Sequence, residues 1–419
     1  METRRRRPRW SELRPLVRIQ PPRLGSSARR LAGAATIGDL RDLAQRRTPR
    51  SVFDYVDGAA EQEISLRRAR EAFASVEFRP RVLRDVSLVE AGRTIVGSPS
   101  SLPLVLAPTG FTRMMHHAGE RAVARAAARA GIPYALSTMG TVSVEDVAAA
   151  APRSQLWFQL YLWKDRAASL DLIQRAAASG YSTLVLTVDT AVAGRRLRDV
   201  RNGLTIPPAL SVRTLADMSL HPAWWFNLLT TEPLEFASLR DSGGTVADLV
   251  DRMFDPSASI ADLAWIREQW PGRVVVKGIQ DPDDAVAVAD LGIDGIVVSN
   301  HGGRQLDRSV TPLEVLPEVV AAVAGRTEVL LDTGITDGAD IVAAVANGAS
   351  GCLVGRAYLY GLMAGGEAGV DRALAILRDQ VTRTMRLLGV SSLDELTPEH
   401  AVIRTARHQP AAHPPPQTP

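Results

Sequence analysis

The chain has 419 residues, is 46% hydrophobic and carries a formal net charge of +3; that is apolar material for a large core, without the broadly basic surface of a nucleic-acid binder. No apolar run approaches the ~20 residues that span a bilayer, so no transmembrane helix is expected. The one cysteine, Cys352, excludes a disulfide within the chain and fits a reducing cytoplasm.

Residues 1–50 hold fourteen arginines against four acidic side chains, a net of +10 that leaves −7 for the rest. The opening "METRRRRPRW" has no apolar stretch behind its charges and does not read as a secretory signal. Residues 1–35 are expected to form a disordered basic tail, able to touch an anionic membrane surface. Residues 36–92 read as a helical cap.

Eight short apolar runs follow: "LPLVLAP" (102–108), "YALST" (134–138), "WFQLY" (157–161), "TLVLTVD" (183–189), "VVVKGI" (274–279), "GIVVSN" (295–300), "EVLLDT" (328–333) and "GCLVG" (351–355). Helical stretches such as "GERAVARAAARAG" and "DDAVAVADLG" lie between them. Strands that are apolar throughout and separated by helices predict a parallel sheet covered on both faces. Eight of them predict a closed (β/α)8 TIM barrel, an α/β fold; an open doubly wound sheet is the alternative. From Asp189 to Val274 the chain runs more than eighty residues. The helix "SIADLAWIREQW" fills the end of this interval, leaving an insertion at about 201–257 after strand four. Its "HPAWWFNLLTTEPLEF" suits a lid, with Trp224 and Trp225 toward a membrane surface or a quinone, or else ordinary packing at a subunit contact. One barrel domain is therefore expected over residues 36–400, with a disordered tail over 401–419.

A barrel carries its active site at the C-terminal ends of its strands. In order, those ends offer Pro108, Thr109 and Gly110; Ser137 and Met139; Gln159 and Tyr161; Thr187 and Asp189, with Arg196 soon after; Lys277; Ser299, His301 and Arg304; Asp332 and Gly334; Gly355 and Arg356. So many polar groups converging without a ligand would cost several kcal/mol. Only two of the 49 basic side chains are lysines, Lys164 and Lys277, so a lysine at a strand end suggests a site that needs a compact cation. Gly334 and Gly355 before helices, with Arg356, suit a phosphate-bearing cofactor. His301 is the acid/base candidate and Asp189 a stabiliser of its protonated form. Arg196 and Arg304 suit a carboxylate, so the inferred substrate is a small acid that loses a proton. No metal centre is expected.

The run "SNHGGRQLD" resembles the signature of the FMN-dependent L-2-hydroxy acid oxidases and dehydrogenases. So do "FDYVDGAAE", "LAPTGF", "LSTMGTVSVEDV", "WFQLY", "LTVDT", "GRRLRDVRNG", "VVKGI", "LDTGI" and "VGRAYLYGL", in order from about Thr36 to Glu395. The likeness is greatest to the respiratory L-lactate dehydrogenases of bacteria. It implies FMN across the barrel mouth, its phosphate on the Gly334 and Gly355 loops and Arg356, and Lys277 against the flavin N1–O2 edge. Pro108, Thr109, Gly110, Ser137, Gln159, Thr187, Ser299 and Asp332 would complete the cofactor site. It further implies that Tyr55 and Tyr161 hydrogen-bond the substrate, Arg196 and Arg304 hold its carboxylate, and Met139 borders its side chain. His301 would be the base and Asp189 its partner. The implied reaction is L-lactate to pyruvate with a quinone or cytochrome as acceptor. The implied setting is a homo-oligomer, a tetramer, in the cytoplasm or peripheral at the inner face of the membrane. An oxidase or monooxygenase using oxygen, and a relative acting on a larger substrate, stay open as alternatives. From a different class, a membrane- or nucleic-acid-binding module led by the Arg-rich tail is the remaining reading. Two positions depart from the family: Thr336 stands where many members have a phosphate-binding arginine, and Gly110 where several oxidases have alanine.

Overall fold

All eight apolar runs are strands of one closed parallel barrel in the computed structural model, which describes residues 9–14, 27–204, 212–237 and 254–404. They are β1 (Leu104–Leu106), β2 (Tyr134–Ser137), β3 (Leu156–Leu160), β4 (Thr183–Thr187), β5 (Arg273–Ile279), β6 (Gly295–Val298), β7 (Glu328–Leu331) and β8 (Gly351–Val354). Neighbours in space are neighbours in sequence, and β8 closes on β1 with Cys352 opposite Leu104. Cys352 is accordingly a small buried hydrophobe of the barrel wall.

Side chains alternate along a strand, and this period of two builds the site. Val105, Ala135, Trp157, Val185, Val275, Val297, Leu330 and Leu353 fill the lumen as one apolar layer. Two residues further along each strand stand Ala107, Ser137, Gln159, Thr187, Lys277, Ser299, Asp332 and Gly355, the layer at the C-terminal mouth. The bottom is plugged by the hairpin of Arg93–Ile95 and Ser98–Ser100, whose Ile95 and Val96 join the lumen cluster. Trp157 Nε1 donates to Ser98 Oγ at 2.9 Å there.

Each strand is followed by a barrel helix, from Gly119–Ala130 after β1 to Arg356–Gly365 after β8. Ser143, Asp165, Asp281 and Asp337 cap four of them, each accepting from a first-turn N–H. Over the mouth lies the N-terminal cap, Ile37–Arg47, Arg50–Asp57 and Ile64–Ala74. Asp57 ties it down, pairing with Arg41 at 2.6 Å and Arg198 at 3.0 Å and accepting from Tyr360 Oη at 2.8 Å.

The tail boundaries need correction. Residues 27–35 are not a disordered tail: Ser27–Ala32 is helical, Leu31 and Ala34 are buried, and Arg372 binds the Ala34 carbonyl. Leu31 is a lone apolar anchor among arginines, too sparse to show as a periodic face. Trp10–Leu13 is also helical, with Trp10 exposed. At the other end Ala401–Ile403 is a strand antiparallel to Val76–Phe78, so the barrel domain extends past residue 400. Residues 1–8 and 405–419, with most of the predicted tails, lie outside the described residues.

Between β4 and β5 the chain forms helices Leu197–Arg201, Val212–Ser219 and Pro222–Leu229 before the barrel helix Ile260–Gln269; residues 205–211 and 238–253 of the expected insertion lie outside the described residues. The insertion is docked rather than free. Trp224 Nε1 donates to the Met114 carbonyl at 2.9 Å, buried Arg113 binds the carbonyls of Glu232 and Pro233, and Phe236 packs on Phe111 with centroids 4.3 Å apart. Among the described residues no helix is long and apolar enough to cross a membrane.

Candidate active site

One cavity opens at the barrel mouth. Its lining includes every sequence-predicted site residue except Asp189 and Ser299. Both lie directly behind it. Ser299 is fully buried: its Oγ receives Lys277 Nζ at 2.9 Å and the His301 N–H at 3.0 Å, and donates to Asp332 Oδ2 at 2.8 Å. It stands in the same mouth layer as Lys277 and Asp332 and fixes three neighbours. Burial alone would raise the Asp332 carboxyl, but the Lys277 ammonium at 2.8 Å and the Ser299 hydroxyl hold it below the usual carboxylate range.

His301 follows β6 in the left-handed region, φ 61°, a conformation costly to a non-glycine residue. Gly302 and Gly303, at φ 66° and 74°, continue the same turn, which only glycines do freely. Facing it, Thr333 has φ 87° and its Oγ1 accepts the Gly302 N–H at 3.0 Å. The turn aims the imidazole along the mouth. Nδ1 lies 3.0 Å from Asp189 Oδ1 and Nε2 3.5 Å from Tyr161 Oη. Burial would raise Asp189, yet the charges of His301 and Lys277 bring it below its ordinary value. Its second oxygen, Oδ2, has no partner among the described residues. Burial first, then Asp189 and Tyr55, push the Tyr161 hydroxyl up, so it stays protonated.

Arg304 and Arg196 flank the ring of Tyr55, their guanidinium carbons 4.9 and 5.5 Å from its centroid. Arg304 Nη1 donates to the carbonyls of Tyr55 (2.6 Å) and Gly58 (3.2 Å). Burial, then the like charge of Arg196, push Arg304 down to about 10. A buried cation in that state is stabilised by an anion, and a substrate carboxylate supplies one. His301, Tyr161, Arg196, Arg304 and Tyr55 therefore enclose one volume, bordered by Met139.

Three neighbours were not legible as site residues. Phe254 packs edge-on to Tyr161 at 5.6 Å and Phe111 edge-on to Tyr55 at 6.4 Å. Gln305 Nε2 binds the carbonyls of Asp189 and Val192, both at 3.0 Å, and so secures the Asp189 loop. Gln305 had a signal, its place beside Arg304; the phenylalanines had none.

The other half of the cavity suits a flavin nucleotide. Gln159 Nε2 and Thr187 Oγ1 are buried in its wall without a partner among the described residues, polar atoms placed for the heteroatoms of a planar ring. Ser137 Oγ fixes Gln159 through Oε1 at 2.9 Å, and Thr109 Oγ1 is held by Tyr358 Oη at 2.6 Å. At the far end the helix Arg356–Gly365 begins at Gly355 with no side-chain cap, leaving first-turn N–H groups for an anion.

Known proteins share this chain's sequence and fold. The family model described as FMN-dependent dehydrogenase matches residues 44–403. A putative L-lactate dehydrogenase of Mycobacterium tuberculosis is 58% identical over 400 residues, 96% of this chain and 97% of that protein. The L-lactate dehydrogenase of Caulobacter vibrioides is 44% identical, covering 84% and 93%. Among solved structures, the monotopic membrane protein (S)-mandelate dehydrogenase superposes with a TM-score of 0.85 at 38% identity, covering 88% of this chain and all of that one. Motifs, barrel and relatives converge, and the chain belongs to the FMN-dependent dehydrogenases, with FMN as its cofactor.

Proposed function

We propose that this enzyme oxidises L-lactate to pyruvate and passes the electrons to a membrane quinone or a cytochrome. The observation that carries the reading is His301, held between Asp189 and Tyr161 and faced by the paired arginines on Tyr55. Arg196 and Arg304 bind the substrate carboxylate. Tyr55 and Tyr161 orient it, and positioning of this kind supplies a large share of a rate enhancement. His301 Nε2 removes a substrate proton while Nδ1 stays on Asp189, whose negative charge stabilises the imidazolium. Pyruvate forms as the alcohol carbon and its hydroxyl lose two protons and two electrons; bound FMN is the two-electron acceptor. Lys277 would lie against the flavin, where its charge favours electron uptake. The names of the curated relatives support lactate.

For the acceptor, the insertion exposes Leu220 (76%), Phe226 (58%) and Leu229 (74%), an apolar face suited to a membrane surface. The enzyme works there as a peripheral homo-oligomer, a tetramer by family resemblance. Anaerobic mixing of the yellow protein with L-lactate, D-lactate and mandelate tests the substrate. Bleaching by L-lactate within seconds is expected; bleaching by mandelate alone would replace lactate with a larger acid. Reoxidation should be fast with a quinone and slow with oxygen, and the reverse order makes the protein an oxidase. His301→Gln should keep its flavin and lose reduction by lactate; rapid reduction removes His301 as base.

A further inference from the structure

At the loop end of the cavity a phosphate dianion meets little charge from the barrel itself. Thr333, Gly334, Ile335 and Thr336 line the wall after β7 and none is ionised. The helix that follows, Gly338–Ala346, has its N-terminus occupied by its own carboxylates. Asp337 accepts from Ala339, and Asp340 Oδ2 from Thr336 and Asp337 at 2.9 and 3.0 Å. Arg356 is present, but its Nε and Nη2 are spent on the carbonyls of Val56 (3.0 Å) and Gly58 (2.7 Å). Lys277 is held by Asp332, Arg304 shares the Gly58 carbonyl with Arg356, and Arg304 and Arg196 both lie on the Tyr55 ring.

One more cation reaches this wall, and it comes from the cap. Arg70, on Ile64–Ala74, lines the cavity. Its Nη1 donates to the Gly334 carbonyl and lies 2.6 Å from Asp340 Oδ2. Its Nε and Nη2 have no hydrogen bond among the described residues, and the guanidinium rests 5.7 Å over the Phe73 ring. The helix is seated tightly enough to aim it: a Cβ on Gly334 would stand 3.1 Å from Ala69 Cβ and from the Ala69 carbonyl oxygen. Asp307 secures the start of the same helix, accepting from the N–H groups of Gln62 (3.1 Å) and Ser65 (2.8 Å).

We infer that Arg70 is a cofactor-phosphate ligand, so that the N-terminal cap and the barrel share the grip on FMN. One guanidinium edge holds the strand-seven loop and the other meets the phosphate opposite Arg356. This rests on the reading that the phosphate sits on the loops after β7 and β8. The cap then docks more firmly when the cofactor is bound, because the same arginine serves both contacts.

The test compares FMN with riboflavin, which lacks the phosphate. The full-length chain, freed of flavin, is titrated with each, binding being read from quenching of protein fluorescence. Arg70→Gln should weaken FMN about tenfold to a hundredfold, the loss of one charged hydrogen-bonded contact, and leave riboflavin within threefold. Adding Thr336→Arg to Arg70→Gln should recover most of the FMN affinity. Arg70→Lys guards against misfolding: it keeps the pair with Asp340, but one ammonium cannot serve loop and phosphate as a fork does. FMN should therefore weaken severalfold and riboflavin not at all. Equal weakening of both flavins reduces Arg70 to a structural tie and overturns the inference, as does unchanged FMN binding. Arg356→Gln separates the two ways of failing. If it alone loses the preference for FMN, the phosphate is there without Arg70; if neither variant loses it, the phosphate lies elsewhere.

Discussion

Asp189→Asn removes a charge and little else. Oδ1 stands 3.0 Å from His301 Nδ1; at an effective dielectric of about 20, a full ion pair at that distance contributes roughly 5.5 kcal/mol. Burial raises the Asp189 carboxyl, but His301 and Lys277 more than offset this, so it is ionised throughout the working pH range. Asparagine keeps the shape and a hydrogen bond of about 1 kcal/mol, and Lys277 already cancels part of the carboxylate's field. What remains is a loss of about 3–4 kcal/mol when the imidazole takes its proton, or roughly 10²- to 10³-fold in rate. Anaerobic stopped-flow reduction of the flavin by saturating L-lactate reads this step directly. KM should move little, since the carboxylate contacts are untouched. Reduction within threefold of wild type, or an effect confined to KM, would refute the role given to Asp189.

Other outcomes follow from the same geometry. Lys277→Met leaves Asp332 buried beside Ser299 without its cation, which should destabilise the fold by about 3–5 kcal/mol; the urea midpoint reads it, and Lys277→Met with Asp332→Asn should recover a large part. An unmoved midpoint means the pair contributes nothing. His116 is pushed down to about 4 by burial, then by His117 and Arg47. A lowered histidine contributes stability that is complete above its unfolded value near 6.5 and is lost as pH falls from there through about 4, at most about 3 kcal/mol. His116→Gln should therefore lose less stability than wild type between pH 7 and pH 4; equal losses dismiss the titration. Gly334→Ala adds a Cβ at φ 85° against Ala69. It should cost about 1–3 kcal/mol and speed flavin release, seen as a rise in free-flavin fluorescence on dilution; an unchanged release rate counts against the tight seat of the cap helix.

The barrel was readable because its strands are apolar on both faces, and their polar ends were readable because the alternation runs on past the last lumen residue. Tyr55 was found only through resemblance: nothing in "SVFDYVDG" says that this helix folds back over a strand end two hundred and fifty residues away. Arg70 is hidden for the same reason, being one arginine among several on an amphipathic helix. Asp307 shows no role in the sequence, yet it accepts from Gln62 and Ser65 at the start of the cap helix as well as from its neighbour Arg308. What periodicity within the chain does not encode is which distant segment docks where.

The pairing of Val76–Phe78 with Ala401–Ile403 joins stretches more than three hundred residues apart. It bears on the order of folding. Contacts of such sequence separation form late, after the shorter loops between successive strands have closed. On an emerging chain the cap helices are made first, yet their partners on β7 and β8 are made last. A nascent chain therefore carries Arg70 for most of its synthesis without Gly334 and Asp340 to close upon. Truncation before β8 should leave a chain that cannot retain flavin, however well the earlier βα units have formed.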